Sequence, residues 1–217
     1  MNFPIHLVVV KRQNDGTTSL IGTHFLEWRK VLCYGTVTMS AELVGVSSKV
    51  VGLIDMRLEI LPKPATYLSD RELTVQMRNE RSKETEAIQL FFAYAKSWWR
   101  EYTQISTSHE SRMIKIFAQT EYGIDLPVCS FVRPMRAGRL LESPQQAAVF
   151  VSLLPFEKDD ELIISGRKEV WGTLHSFLCK GKGNVEEHCI LLCSLLIGFG
   201  LDAFVCIGTV KNSKYVW

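Results

Sequence analysis

The chain has 217 residues, 47% of them apolar and 22% charged, a balance that fits one large or two small globular domains and excludes a disordered chain. Its formal charge is only +2, with Lys and Arg interspersed among Asp and Glu, so a dedicated nucleic-acid surface is not expected. The apolar stretch 3–10 is short and is followed, not preceded, by Lys11 and Arg12, and the longest apolar run, 190–200, is well under the roughly 20 residues a membrane span requires. The sequence therefore predicts neither a secretory leader nor a membrane helix.

Residues 5–10 are apolar and β-branched and predict a first strand, closed by the turn signal Gln13-Asn14-Asp15-Gly16. A second strand is predicted over 19–26, followed by an irregular segment, Glu27-Trp28-Arg29-Lys30. Residues 36–44 alternate strictly, with Val37, Met39, Ala41 and Leu43 on one face, and 50–61 repeat the pattern with Ile54, Met56, Leu58 and Ile60. This is the grammar of an antiparallel β-sandwich. After Pro62-Lys63-Pro64, Ser69 and Glu72 form a capping box that opens a long helix, expected over 70–102. Its first half is polar and should be solvated. Its second half carries the stripe Ile88, Phe91, Phe92, Ala95, Trp98, Trp99 and Tyr102, which should dock as core.

Two strands are expected over 113–119 and 128–134, around the turn Tyr122-Gly123-Ile124-Asp125. Ser143, Pro144 and Gln146 start a helix running to about residue 154. A charged loop over 156–165 and a short helix over 170–179 follow. Asn184 then caps a helix over 185–197, with Glu187 at the box position and Gly198 and Gly200 ending it. A strand over 202–209, a hairpin turn Lys211-Asn212-Ser213-Lys214 and the start of a strand at Tyr215 complete the pattern. Four opening strands and a final strand without a following partner are what a piece of a longer chain would show.

The stretch 181–209 bears most directly on chemistry. A helix N-terminus lowers a thiol pKa and suits a cysteine nucleophile, yet Val185 occupies the first helical position. Cys189 and Cys193 lie on the same face one and two turns later, where a core-docked helix is buried and the terminal dipole has faded. His188 is offset by about 100° from Cys189, and no fourth ligand is evident for a zinc site; His175 and Cys179 read as a coincidence of helix spacing. The six cysteines, Cys33, Cys129, Cys179, Cys189, Cys193 and Cys206, contain no CxxC pair and read as buried, reduced thiols of a cytosolic protein.

The segments FLEWRKVL, FFAYAKSWWREYTQI, SRMIKIFAQTEYGIDLPVCSFVRPMRAGRLLESPQQAAVF and the stretch 174–209 resemble the centrosomal protein of 76 kDa family, from about Pro4 to the end of the chain. That family joins a C2 domain to a transglutaminase-like, papain-related domain, and a coiled-coil and C2-domain protein of the ciliary transition zone resembles it more distantly. The resemblance implies an α+β chain: residues 1–62 as the C-terminal part of a C2-like β-sandwich, 63–105 as a linker helix, and 106–217 as the N-terminal part of a transglutaminase-like domain. It places the nucleophile position on Val185 and the histidine position on Tyr215. Valine has no nucleophilic atom, and tyrosine, with a pKa near 10, is a poor base at neutral pH. The expectation is therefore a pseudoenzyme with no catalytic residue, no cofactor and no metal.

In the C2-like part, Lys11 and Arg12 stand where calcium-binding relatives would place acids, and Asp15 alone cannot build a site of six to eight oxygens, so no calcium is expected at this loop. The resemblance implies a non-catalytic scaffold at the centrosome, centriole or cilium base that limits centriole duplication through contacts with centriolar and centrosomal proteins. Two other classes stay open at this point. One is a cysteine peptidase or acyl transferase using a displaced thiol, Cys189. The other is a membrane adaptor acting through Lys11 and Arg12, although membrane binding is not the expectation.

Overall fold

The computed structural model describes residues 4–14, 16, 18–45, 49–112, 114–157, 170–210 and 213–216. The chain divides into two compact units. One comprises Met1–Leu7, Thr23–Val44 and Val50–Ile116; the other comprises Val8–Gly22, Gly45–Lys49 and Phe117–Trp217.

Strands β1 (Ile5–Arg12), β2 (Thr18–Leu26), β3 (Thr36–Val44) and β4 (Val50–Glu59) form a sheet in the order β1-β2-β3-β4. β2 pairs antiparallel with β3, and β3 with β4 from Thr36↔Glu59 to Leu43↔Gly52, with a register shift at Leu43/Val44. The period of two in β3 is visible in burial: Ala41 and Leu43 are buried, while Thr38, Ser40 and Glu42 are exposed. β4 ends at Glu59, two residues before the predicted end, ahead of Pro62 and Pro64, which have no N–H to offer a ladder. The turn after β1 forms as expected, with Gly16 at φ +85° donating to Gln13 O at 3.0 Å; its Asp15 lies outside the described residues.

The segment read as irregular is helical. A 3-10 turn, Trp28–Lys30, runs into α1 (Val31–Tyr34). Arg29 organises it: Glu27 accepts its Nε–H at 2.6 Å and an Nη2–H at 2.7 Å, and a second carboxylate, Glu80, also pairs with it. These bonds hold the Glu27 carboxyl below its ordinary range. Helix α2 (Asp70–Ile105) starts where predicted, with both capping-box bonds made by Ser69 and Glu72, and runs about 54 Å to three residues past the predicted end. The expected docking of its second half is only partial. Ala95 is buried and Ile88, Phe91, Trp99 and Tyr102 are half-buried, but Phe92 and Trp98 are exposed. Tyr102 stacks on His109 at 4.1 Å, and His109 Nδ1–H donates to Tyr102 O at 2.8 Å, so the chain folds back on the helix end.

The second unit has a three-stranded sheet in the order β6-β5-β7, formed by β5 (Phe117–Thr120), β6 (Asp125–Pro127) and β7 (Val170–Trp171). β5 is antiparallel to β6 and parallel to β7. The strand predicted over 128–134 is not there. The tight turn at Gly123 (φ +77°) brings residue 125 back beside Gln119, so β5 is fully paired by 127, and Val128–Phe131 forms a 3-10 turn that buries Phe131. The backbone beyond it docks on a helix instead: Arg133 N–H donates to Ser194 Oγ at 3.2 Å and Met135 N–H to Ser194 O at 2.9 Å. The first strand of this pair begins at Phe117, later than expected; Met113 lies outside the described residues.

Helix α3 (Pro144–Ser152) has Ser143 as its cap, but Gln146 Oε1 accepts from Glu142 N–H at 2.8 Å and not from the cap residue itself, so the predicted box is not closed. The helix predicted over 170–179 begins later. Val170 and Trp171 pair with β5, and α4 (Leu174–Lys180) starts after the Thr173 cap and ends at Gly181, in the left-handed region. α5 (Val185–Gly198) follows. β8 (Ile207–Val210) is shorter than the predicted 202–209 and pairs antiparallel with β9 (Ser213–Val216). Ser213 and Lys214, predicted in the turn, belong to the strand; Lys211 and Asn212, like most of the predicted loop 156–165, lie outside the described residues. Ala118, Phe131, Ala147, Val151, Trp171, Phe177, Leu191 and Leu195 form the core of this unit.

Candidate functional site

The N-terminus of α5 is built as the sequence predicts. Asn184 Oδ1 accepts Glu187 N–H at 2.9 Å, and Glu187 Oε2 accepts Asn184 N–H at 3.1 Å. Val185, at the first helical position, is 40% exposed, so the place a nucleophile would take is open to solvent and holds an isopropyl group. Asn184→Ala should cost about 1 kcal/mol by losing this cap, read as a lowered urea midpoint at unchanged slope.

Three carboxylates around the helix start are buried, Glu121, Glu186 and Glu187. Lys180 Nζ donates to Glu187 Oε1 at 3.1 Å. Burial pushes the Glu187 carboxyl up; the Lys180 charge and hydrogen bond and the Asn184 amide act against this, and the neighbouring Glu121 adds to it. Gly172 and Gly183 leave this carboxylate its space: a Cβ on Gly172 would sit 1.9 Å from Oε1, and one on Gly183 2.2 Å from Oε2. Glu121 accepts Thr173 N–H at 3.0 Å and the Thr173 hydroxyl at 2.5 Å, together with the Ser176 hydroxyl. Sequence reasoning found Glu187 through its cap spacing. It missed Glu121, whose place beside the Tyr122-Gly123 turn reads as solvent-facing.

The other candidates are held away from acid–base work. His188 Nδ1 lies 2.6 Å from Asn184 O and Nε2 3.1 Å from Leu154 O, so both ring nitrogens face backbone carbonyls and neither faces a thiol. Burial raises the Cys189 thiol pKa, and the charge of Glu186 and the Cys193 thiol raise it further; burial likewise raises that of Cys193. Both effects oppose a thiolate. Tyr215 is exposed on β9, paired with Gly208, and β9 runs beside α5, so Val185 and Tyr215, the two positions marked by the resemblance, lie on adjoining elements. The expectation that the cysteines are buried holds in full for Cys193; Cys33 and Cys189 are half-buried, and Cys129, Cys179 and Cys206 are exposed because they lie on a 3-10 turn, an outer helix face and a segment without strand pairing. Lys11 and Arg12 are exposed at the end of β1. Among the described residues no three His, Cys, Asp or Glu side chains gather as a metal site, and no helix is long and apolar enough to cross a membrane.

A family model described as the CEP76 C2 domain matches residues 1–66, and one described as the CEP76 peptidase-like domain matches residues 169–217. The chain is 49% identical to the centrosomal protein of 76 kDa of Mus musculus over 220 residues, which is 99% of this chain and 33% of the relative. The identity to its Danio rerio counterpart is 47% over the same shares. Protein CC2D2B of Homo sapiens is 40% identical over 62 residues, 29% of this chain and 4% of its own length. The fold and these matches define a protein that joins a C2 antiparallel sheet, a long helix and part of a peptidase-like α+β region. The chain belongs to the centrosomal protein of 76 kDa family and spans a third of the length of the curated relatives it matches.

Proposed function

We infer that this chain is a non-catalytic centrosomal scaffold that limits centriole duplication through contacts with centriolar and centrosomal proteins. The observation that carries the reading is Val185: it is 40% exposed at the first position of a capped helix, yet it presents no atom able to attack. The neighbouring thiol supports the same reading, since burial and Glu186 keep Cys189 protonated and not activated. A domain whose capped helix persists without a nucleophile fits a role in packing and recognition, with the centrosome or cilium base as its place.

Thiol labelling tests the negative half. In the folded chain Cys129, Cys179 and Cys206, which are exposed, should react first with an alkylating probe near neutral pH, and the half-buried Cys189, with its raised thiol pKa, more slowly than in the unfolded chain. Rapid alkylation of Cys189 in the folded chain, lost on unfolding, would overturn the reading in favour of a displaced nucleophile. For the positive half, the chain expressed in dividing cells should concentrate at centrosomes, reduce excess centriole formation and co-purify with centriolar proteins. Val185→Ala should leave all three unchanged. Recovery of no centriolar protein would sink the scaffold role.

A further inference from the structure

Helix α2 carries two apolar faces, and only one is covered. At 100° per residue, Ile88, Phe91, Ala95, Trp99 and Tyr102 share one arc, the half-buried to buried side. Leu90, Tyr94, Trp98 and Ile105 fall on the adjacent arc, about 80° wide, with Ala87 and Glu101 between them. Leu90 is 65% exposed, Tyr94 70% and Ile105 74%, while Trp98, at the boundary between the arcs, is 39% exposed. From Ala87 to Ile105 the steps run three, four, four, three, four. This is the spacing of an eleven-residue repeat, which keeps a stripe nearly parallel to a straight helix axis. Scattered exposed apolar residues need no explanation, but a continuous stripe along one helix does.

The charges on this arc say what fits it. Lys83 and Glu101 both lie within it, at equal distances along the chain on either side of Phe92, about 27 Å apart along the axis, while Glu80, at its edge in line with Trp98, is already paired with Arg29. Leu90 and Tyr94 are likewise symmetric about Phe92. A two-fold axis at that level sets Lys83 of one copy against Glu101 of the other and Leu90 against Tyr94, in a self-complementary, closed contact. A parallel pairing in register would oppose Lys83 to Lys83 and Glu101 to Glu101, and like charges disfavour it. We propose that α2 pairs antiparallel with α2 of a second copy of this chain, through Leu90, Tyr94 and Trp98, with Trp98 beside Ala87 of the other copy and Ile105, level with Asn79, beyond the apolar contact.

The test is the mass of the full chain in reducing buffer, followed by sedimentation over a micromolar concentration series. A reversible monomer–dimer equilibrium is expected. Lys83→Glu and Glu101→Lys should each raise the dimer dissociation constant about ten-fold, because each creates two symmetry-related like-charge contacts. The double variant Lys83→Glu/Glu101→Lys should return it to within about two-fold of the parent. Tyr94→Asp should leave a monomer. All four variants should keep the helical circular dichroism and melting temperature of the parent monomer, since the stripe is exposed within the unit. A chain that stays monomeric across the series overturns the proposal. So does a dimer insensitive to Tyr94→Asp, which would use another surface, or one indifferent to the single charge reversals, which would be parallel.

Discussion

Gly198→Ala is expected to destabilise the second unit by about 3 kcal/mol or more, and Gly198→Val to prevent it from folding. Helix propensity alone predicts the opposite, because alanine inside a helix is favoured over glycine by about 1 kcal/mol. Packing decides the sign. A Cβ at 198 would lie 1.9 Å from Met135 O and 2.5 Å from Met135 C, and these are backbone atoms with no rotamer to yield. Nor can that backbone retreat cheaply: Met135 N–H is held by Ser194 O and Arg133 N–H by Ser194 Oγ, so the segment is fastened one turn earlier on the same helix face. Urea denaturation of each variant checks this, and a Gly198→Ala chain as stable as the parent would mean that the segment does not lie against α5.

The second large effect concerns the carboxylate under the helix start. Glu187 ionises above its ordinary range in the folded chain, chiefly because burial disfavours the charge. In the unfolded chain it ionises near pH 4.3. Below that value the group is protonated in both states and costs nothing. As pH rises from there through the folded value, the unfolded chain gives up its proton first, and stability falls. Glu187→Gln abolishes this slope while its amide oxygen still accepts the Asn184 N–H, since glutamine serves the capping box as well as glutamate. The difference in unfolding free energy between the two chains should therefore change between pH 4 and neutrality, with the parent losing ground as pH rises. A constant difference would show that Lys180 fully compensates the burial. The same pocket makes Gly172→Ala and Gly183→Ala costly, by about 2 kcal/mol or more, because either methyl drives the carboxylate off its cap and its lysine.

The elements legible in the sequence were those whose signals are local. The alternation of β3, the Ser69–Glu72 box and the Asn184–Glu187 box each declare themselves within a few residues, and each forms as read. What escaped depended on distant partners. Val170 and Trp171 look like the start of a helix until Gln119 and Thr120 appear beside them. The run 128–134 is β-branched enough for a strand, but β5 is already paired, and its backbone finds Ser194 instead. Glu121 becomes a buried group only because Thr173 and Ser176 arrive from another part of the chain. On α2 one stripe was recognised, but two of its members, Phe92 and Trp98, stay exposed, and the exposed Leu90, Tyr94 and Ile105 were not singled out, because helix spacing does not say how wide a face its unit covers. At the candidate site the helix, its cap and its occupant were all readable, whereas the expectation of a nucleophile at position 185 rests only on the family resemblance.

The parallel pairing of β5 with β7 also bears on the order of events as the chain folds. The first sheet is a sequential meander whose strands meet their neighbours across short connections, and α2 forms chiefly through bonds within the helix, with the Arg29–Glu80 pair added from the sheet side. In the second unit Gln119 must find Val170 across the whole intervening chain before the parallel pair exists, and only then do Thr173 and Ser176 reach Glu121. Loop closure on that scale is slow compared with hairpin and helix formation. During synthesis the meander and α2 therefore have time to form while the peptidase-like region is still collapsing, and its exposed apolar core would be the part of the nascent chain that most needs a chaperone.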